Sequence, residues 1–233
     1  MAYCGEHILS ATIETVKTAV SLHCRSWGCQ ECAALRQRQL VAKGLSGKPN
    51  RFVTLTSRRN NKQTAIEAAR NLANAWKIIF RQIKKQHPKE KPEFLAVFER
   101  TQTGWPHLHI LYRGPWLHQH WLSQRMGELT NSPIVDVRAV IDQGRTAAYV
   151  AKYTAKGPGK FGTLKRYWTS KAYELENKIK DRKQETWNVQ RMTLRKWCEM
   201  WRTLEWTVTE LSTTKAEARQ FPPPRGLQLS GGS

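Results

Sequence analysis

The sequence predicts an α+β fold: an antiparallel sheet of the split βαβ kind with helices on one face, plus a small N-terminal zinc knuckle and a helical C-terminal extension. Three observations carry this expectation. Four strand-like runs alternate with helical patterns in the order βαββαβ between residues 51 and 140, which leaves one sheet face open for a site. Upstream stands a cysteine cluster at metal-ligand spacing, and downstream a stretch of cations and tryptophans with helical spacing.

Each element has its own signal. Phe52-Val53-Thr54-Leu55-Thr56 is rich in β-branched and aromatic residues, as strands are. Thr64-Ala65-Ile66-Glu67 offers a capping box, and Ile66, Ala69, Leu72 or Ala73, Trp76, Ile79 or Phe80 and Ile83 recur at helical spacing. A long helix is therefore expected to about His87, stopped by Pro88. Strands follow at 93–100 and 106–113, joined by the short Gly-containing loop Thr101-Gln102-Thr103-Gly104-Trp105. After Gly114-Pro115 a second helix is expected from about Trp116 to Leu129, then a strand over 133–140. A last helix, with Asp142 as N-cap, should carry Tyr149 to Lys156.

The flanks read differently. Residues 1–50 form a Cys-rich segment ending in the linker-like Gly44-Leu45-Ser46-Gly47-Lys48-Pro49-Asn50. Cys29 and Cys32 make a zinc half-site, because thiolates three residues apart can both reach one tetrahedral ion. Cys24 and Cys4 could supply the other two ligands, with His7 and His23 as substitutes. Residues 161–212 read as a basic aromatic extension with a helix from Trp187 to Leu204, whose Trp197 and Trp201 serve packing or base stacking. Residues 213–233, with Phe221-Pro222-Pro223-Pro224, should be a flexible tail.

Composition bounds the function. The chain of 233 residues carries 39 Lys and Arg against 18 Asp and Glu, a formal charge of +21, which suits a polyanionic partner and points to nucleic acid. No apolar stretch approaches the ~20 residues of a membrane span and no signal-peptide pattern is present, so a soluble, cytoplasmic protein is expected, without a membrane partner. Five cysteines, odd in number and clustered early, suit a metal knuckle in a reducing compartment better than disulfides. Gly44-x-x-Gly47-Lys48 has neither the glycine spacing nor the Ser/Thr of a phosphate loop, so no use of ATP is expected.

The chemistry concentrates between Glu99 and Lys156. In Pro106-His107-Leu108-His109-Ile110-Leu111, the two imidazoles share one face of a strand while Leu108 and Ile110 point into a core. If the five-residue loop closes an antiparallel pair, Glu99 lies opposite His107 and completes a His, His, carboxylate set. Such ligands, with positions left open for phosphate and water, fit Mg²⁺ or Mn²⁺. The nearby His118-Gln119-His120 falls in a predicted helix, where residues two apart diverge, and should not chelate. On the last helix Tyr149 and Tyr153 share a face, as do Lys152 and Lys156.

These motifs in this order resemble the HUH endonucleases, specifically the two-tyrosine subclass of rolling-circle replication initiators of small single-stranded DNA phages and plasmids. The resemblance covers roughly residues 51 to 157 and rests on Pro106 to Leu111, Glu99, the strand at Phe52 to Thr56 and the doubled Tyr-x-x-Lys. It implies a ferredoxin-like or RRM-like sheet and a nicking and joining domain over residues 51–160. It also implies a catalytic Mg²⁺ or Mn²⁺ on Glu99, His107 and His109, and Tyr149 and Tyr153 as nucleophiles assisted by Lys152 and Lys156. The substrate would be single-stranded DNA at a replication origin, cut through a 5′-phosphotyrosine intermediate, with host helicase and polymerase as partners. Two other readings stand beside it: a transposase or relaxase with the same chemistry, and a non-enzymatic, zinc-containing nucleic-acid-binding module.

Overall fold

Two hairpins and a pair of crossovers organise the chain. The computed structural model describes residues 4–13, 15–140, 158–173, 186–212 and 214–220. In chain order they form β1 (Ile8–Ile13), β2 (Val16–Ser21), α1 (Gln30–Ser46), β3 (Arg51–Thr56), α2 (Ala65–Gln86), β4 (Glu93–Arg100), β5 (Pro106–Arg113), α3 (Gln119–Thr130) and β6 (Ile134–Ala139). Then come β7 (Tyr167–Thr169), β8 (Asn188–Gln190), α4 (Leu194–Thr203), β9 (Thr207–Ser212) and β10 (Lys215–Arg219). The chain divides into two compact units, Met1–Ala33 with Asn177–Ser233, and Ala34–Glu176.

The larger unit is a five-stranded antiparallel sheet in the order β6-β3-β5-β4-β7. Both β3 and β4 run antiparallel to the β5 strand between them, so they are parallel to each other, and α2 makes the crossover. Helix α2 starts where the sequence signals it: the Thr64 hydroxyl accepts from the Glu67 amide at 3.2 Å, and Glu67 accepts from the Thr64 amide at 2.7 Å. The apolar stripe of α2, with Leu72, Trp76, Ile79 and Ile83, is buried against alternate residues of three strands: Val53 and Leu55, Ala96 and Phe98, Leu108 and Ile110. Each large side chain so buried contributes roughly 1.5–3 kcal/mol. The intervening residues, Thr54, Glu99, His107 and His109 among them, therefore face the opposite side of the sheet.

The smaller unit is a second antiparallel sheet, β8-β1-β2-β10-β9, in which β1 and β2 form a hairpin and β10 pairs with both β2 and β9. Its core sets Trp197 and Cys198 of α4 against Ile8, Ala19, Ala216 and Ala218.

Several expectations at the flanks are corrected. Most of the run with linker composition belongs to packed structure. Gly44 is buried inside α1, and Gly47 sits against Tyr173, where an added Cβ would lie 2.0 Å from the ring, so these glycines answer close packing rather than chain freedom. The extension over 161–212 is not helical throughout: Tyr167–Thr169 joins the larger sheet, Asn188–Gln190 the smaller one, and only Leu194–Thr203 is helix among the described residues. The tail expected from 213 contains β10, whose Ala216 and Ala218 are fully buried, because alanines alternating with charged residues suit a strand closely packed on one face. Met1–Ala33 and Asn177–Ser233 thus fall in one unit, which differs from divisions at 50, 160 and 212. Helix α3 starts three residues later than expected, since Leu117 enters the core in extended chain and His118 is the N-cap. The segment expected to be the last helix, with Asp142, lies outside the described residues.

Candidate metal centre

The hairpin between β4 and β5 sets the geometry. Its loop is closed by hydrogen bonds from the Thr101 amide to the Trp105 carbonyl and from the Trp105 amide to the Thr101 hydroxyl, both 2.9 Å, and Gly104 takes a positive φ of 79°. The resulting register pairs Glu99 with His107 and Val97 with His109. Across the diagonal, His109 Nε2 lies 2.6 Å from Glu99 Oε2. One ligand atom from each of Glu99, His107 and His109 lies within 4.8 Å of the other two. An octahedral Mg²⁺-type ion at ~2.1 Å from each donor would separate cis ligands by roughly 3 Å and trans ligands by roughly 4 Å. The three side chains therefore fit one divalent cation with small rotations, and three coordination positions would remain for phosphate and water.

The neighbours prepare this set for metal. Burial is the main cause holding the His107 imidazole below its ordinary pKa of 6.5; His109 adds to it and Glu99 opposes it. A neutral His107 keeps a ring lone pair for coordination. The Thr54 hydroxyl lies 3.1 Å from His109 Nδ1, leaving Nε2 directed at Glu99, and Phe52 stacks on the same imidazole at 5.5 Å and 15°. From sequence neither Thr54 nor Phe52 stands out as a site residue, although the run Phe52 to Thr56 does as a strand. The signal that finds them is the register: β3 pairs Thr54 with His109 and Thr56 with His107. Replacing Thr54 by Val should weaken Mn²⁺ binding about 10–100-fold while the thermal melt stays close to wild type, as measured by Mn²⁺ titration and thermal denaturation.

A second cluster lies in the smaller unit. Sγ atoms of Cys4, Cys24, Cys29 and Cys32 all lie within 4.8 Å of one another, with Cys4 to Cys32 at 3.3 Å and Cys24 to Cys32 at 3.6 Å. A tetrahedral ion with Zn–S bonds of ~2.3 Å separates its sulfurs by roughly 3.8 Å, so the four thiols fit zinc. Cys4 and Cys24 thus take the two positions left open, and His23 lies beside them with Nδ1 3.6 Å from Cys4 Sγ; His7 is not in the group. Amides of Cys24 and Ser26 approach Cys4 Sγ and Cys24 Sγ at 3.4 and 3.5 Å, the donors that thiolate ligands accept from. The thiols are inequivalent. The Cys32 amide leads in drawing Cys29 down to about 7. Cys4 is pushed up to about 12: the Cys24 amide works against the rise, while desolvation and the neighbouring thiols drive it. Crowded thiolates of this kind need a cation to ionise together. Chelation, or Cys29→Ser, should loosen residues 1–33 without disturbing Glu99, His107 or His109; one zinc per chain by elemental analysis and raised amide exchange confined to the smaller unit are the expected readouts.

Among the described residues these two are the metal-capable groups, and His118 and His120 belong to neither. Tyr149, Lys152, Tyr153 and Lys156 lie outside the described residues. No described helix is long and apolar enough to cross a membrane.

Residues 50–158 match the family model of the replication-associated protein ORF2. Just under half of the chain is covered, from the start of β3 past Lys156, so the stretch similar to that family contains the Glu99, His107 and His109 set and both tyrosines. Among curated proteins and among solved structures, nothing matches the chain.

Proposed function

We propose that the chain is a metal-dependent, site-specific single-stranded DNA endonuclease and strand transferase that initiates rolling-circle replication as a two-tyrosine HUH enzyme. The observation that carries this reading is the convergence of Glu99, His107 and His109 on the open face of the sheet, within a stretch similar to replication-associated proteins. The order β6-β3-β5-β4, with α2 and α3 packed on it, is the arrangement of a split βαβ domain, which supports the same reading. The net charge of +21 supplies affinity for the DNA backbone.

Glu99, His107 and His109 would hold Mg²⁺ or Mn²⁺. Once bound, the cation supplies Lewis-acid polarisation of a non-bridging phosphate oxygen. Thr54 keeps His109 oriented throughout. The nucleophile is the phenol of Tyr149 or Tyr153, whose reference pKa of about 10 makes nearby positive charge from Lys152 or Lys156 necessary at neutral pH. As the tyrosine oxygen bonds to phosphorus, the phosphorus–O3′ bond breaks, the phenol gives up its proton and the departing 3′ oxygen takes one up. A 5′-phosphotyrosine and a free 3′-hydroxyl result. The phosphodiester energy is kept in that ester, so rejoining needs no ATP and the 3′ end can prime a polymerase.

Incubating the full chain with 5′- and 3′-labelled single-stranded oligonucleotides and Mn²⁺ tests the proposal. A denaturation-resistant adduct that retains only the label 3′ of the cut is expected. Strong binding without any adduct, across a library of sequences, would favour a zinc-containing nucleic-acid-binding module instead.

A further inference from the structure

We infer that a cleft between α2 and the β4–β7 edge is a second single-stranded DNA site, seating one unstacked base on an aromatic floor and its flanking phosphates on surrounding cations. It takes from the proposed function only that the polymer is single-stranded DNA. The cleft encloses about 510 Å³, within the range of ~300–1,000 Å³ over which proteins bind small planar ligands. Its floor is Phe80, Phe94, Phe98 and the half-buried Trp168. Phe94 and Phe98 alternate with Glu99 along β4, so the cleft lies on the opposite face of the sheet from the metal centre.

The rim is cationic. Lys77, Arg81 and Lys84 stand exposed at successive turns of α2, about 6 and 4.5 Å apart along the axis, and Lys165 faces them from the segment before β7. No carboxylate among the described residues lines the cleft. Lys84 Nζ already lies 5.0 Å from the Phe80 ring centroid, so charge and aromatic surface are presented together. A row of cations one helical turn apart beside a flat aromatic pocket matches what an extended strand offers: a repeating phosphate and a base with a π-face. An acidic helical partner would need apolar anchors over several turns, whereas this floor is one spot ringed by positive charge.

The test is fluorescence anisotropy of the full chain with a labelled single-stranded 20-mer in EDTA, which excludes cleavage. Arg81→Glu with Lys84→Glu is compared with the same charge change at Arg38 and Lys89, both exposed and outside the cleft. The expected result is an affinity loss about tenfold greater than in the control, and a salt slope reduced by about 1.4, at ~0.7 for each phosphate no longer neutralised. With 5-iododeoxyuridine in the strand, photocross-links should map to Trp168 or Phe80 in wild type. Equal affinities in the two variants with no cross-link in the cleft would overturn the inference. So would a cleft variant that binds DNA as wild type does but no longer binds an acidic amphipathic peptide, which would assign the cleft to a protein partner. Adduct formation in Mn²⁺ is scored separately: cleft-dependent binding without any adduct would support the second site and count only against the nicking chemistry.

Discussion

His107→Ala or His109→Ala should lower single-turnover cleavage of single-stranded DNA about a thousandfold or more while changing DNA affinity only a few-fold. Lewis-acid stabilisation of a developing phosphorane is worth several kcal/mol, and each ~1.4 kcal/mol is a factor of ten in rate. Removing one of three protein ligands forfeits most of it, since Glu99 and a single imidazole would be left to hold the ion. Affinity should survive because it comes from many Lys and Arg contacts summed over a charge of +21, of which a neutral imidazole supplies none. The two variants separate further by fold. His109 is buried, stacked on Phe52 and in contact with Thr54, so its loss should also lower the melting temperature. His107 is more exposed, and its loss should leave stability nearly unchanged. Quench-flow or gel assays of adduct formation beside anisotropy titrations read both effects. If cleavage and binding fell together, the histidines would be structural.

How far the sequence reached depended on whether a signal was local. The metal set was legible because three short-range rules coincide: side chains alternate along a strand, a five-residue Gly-containing loop closes a hairpin, and directly opposed residues share a face. Glu99 opposite His107 follows from those rules. The capping box at Thr64 and the stripe of α2 were equally local. Thr54 was harder to see, because its contact with His109 depends on how β3, more than fifty residues upstream, aligns with β5. The smaller unit was largely hidden for the same reason. Its β1–β2 hairpin and β10 are neighbours in the sheet across almost two hundred residues, and the alternating alanines of β10 are too small to stand out as a strand pattern. Composition also misled at Gly44 and Gly47, where the need for a missing side chain comes from close packing inside α1 and from the Tyr173 ring, neither visible locally.

Tyr149→Phe combined with Tyr153→Phe should abolish adduct formation, whereas either single change should leave some single-turnover nicking and stop only repeated cycles. A phenol already esterified to a 5′ phosphate cannot attack again, yet finishing a replicated circle requires a second cut while the first adduct persists. A second phenol answers that requirement. On a helix, residues four apart stand on one face, so a modest movement would bring either hydroxyl to the one metal centre, and each heads its own Tyr-x-x-Lys with Lys152 or Lys156. The double change removes both nucleophiles and only two hydroxyls, so DNA affinity and Mn²⁺ binding should stay close to wild type. That separates it from His107→Ala, which should lose metal as well as rate. Tyr149 is the favoured first nucleophile, because its Lys152 directly precedes the second phenol. Mass spectrometry of adducts trapped from wild type and from each single variant assigns the oligonucleotide to a residue. Adduct on one tyrosine alone, with the other's Phe variant fully active through successive rounds of cleavage and joining, would make this a one-tyrosine enzyme.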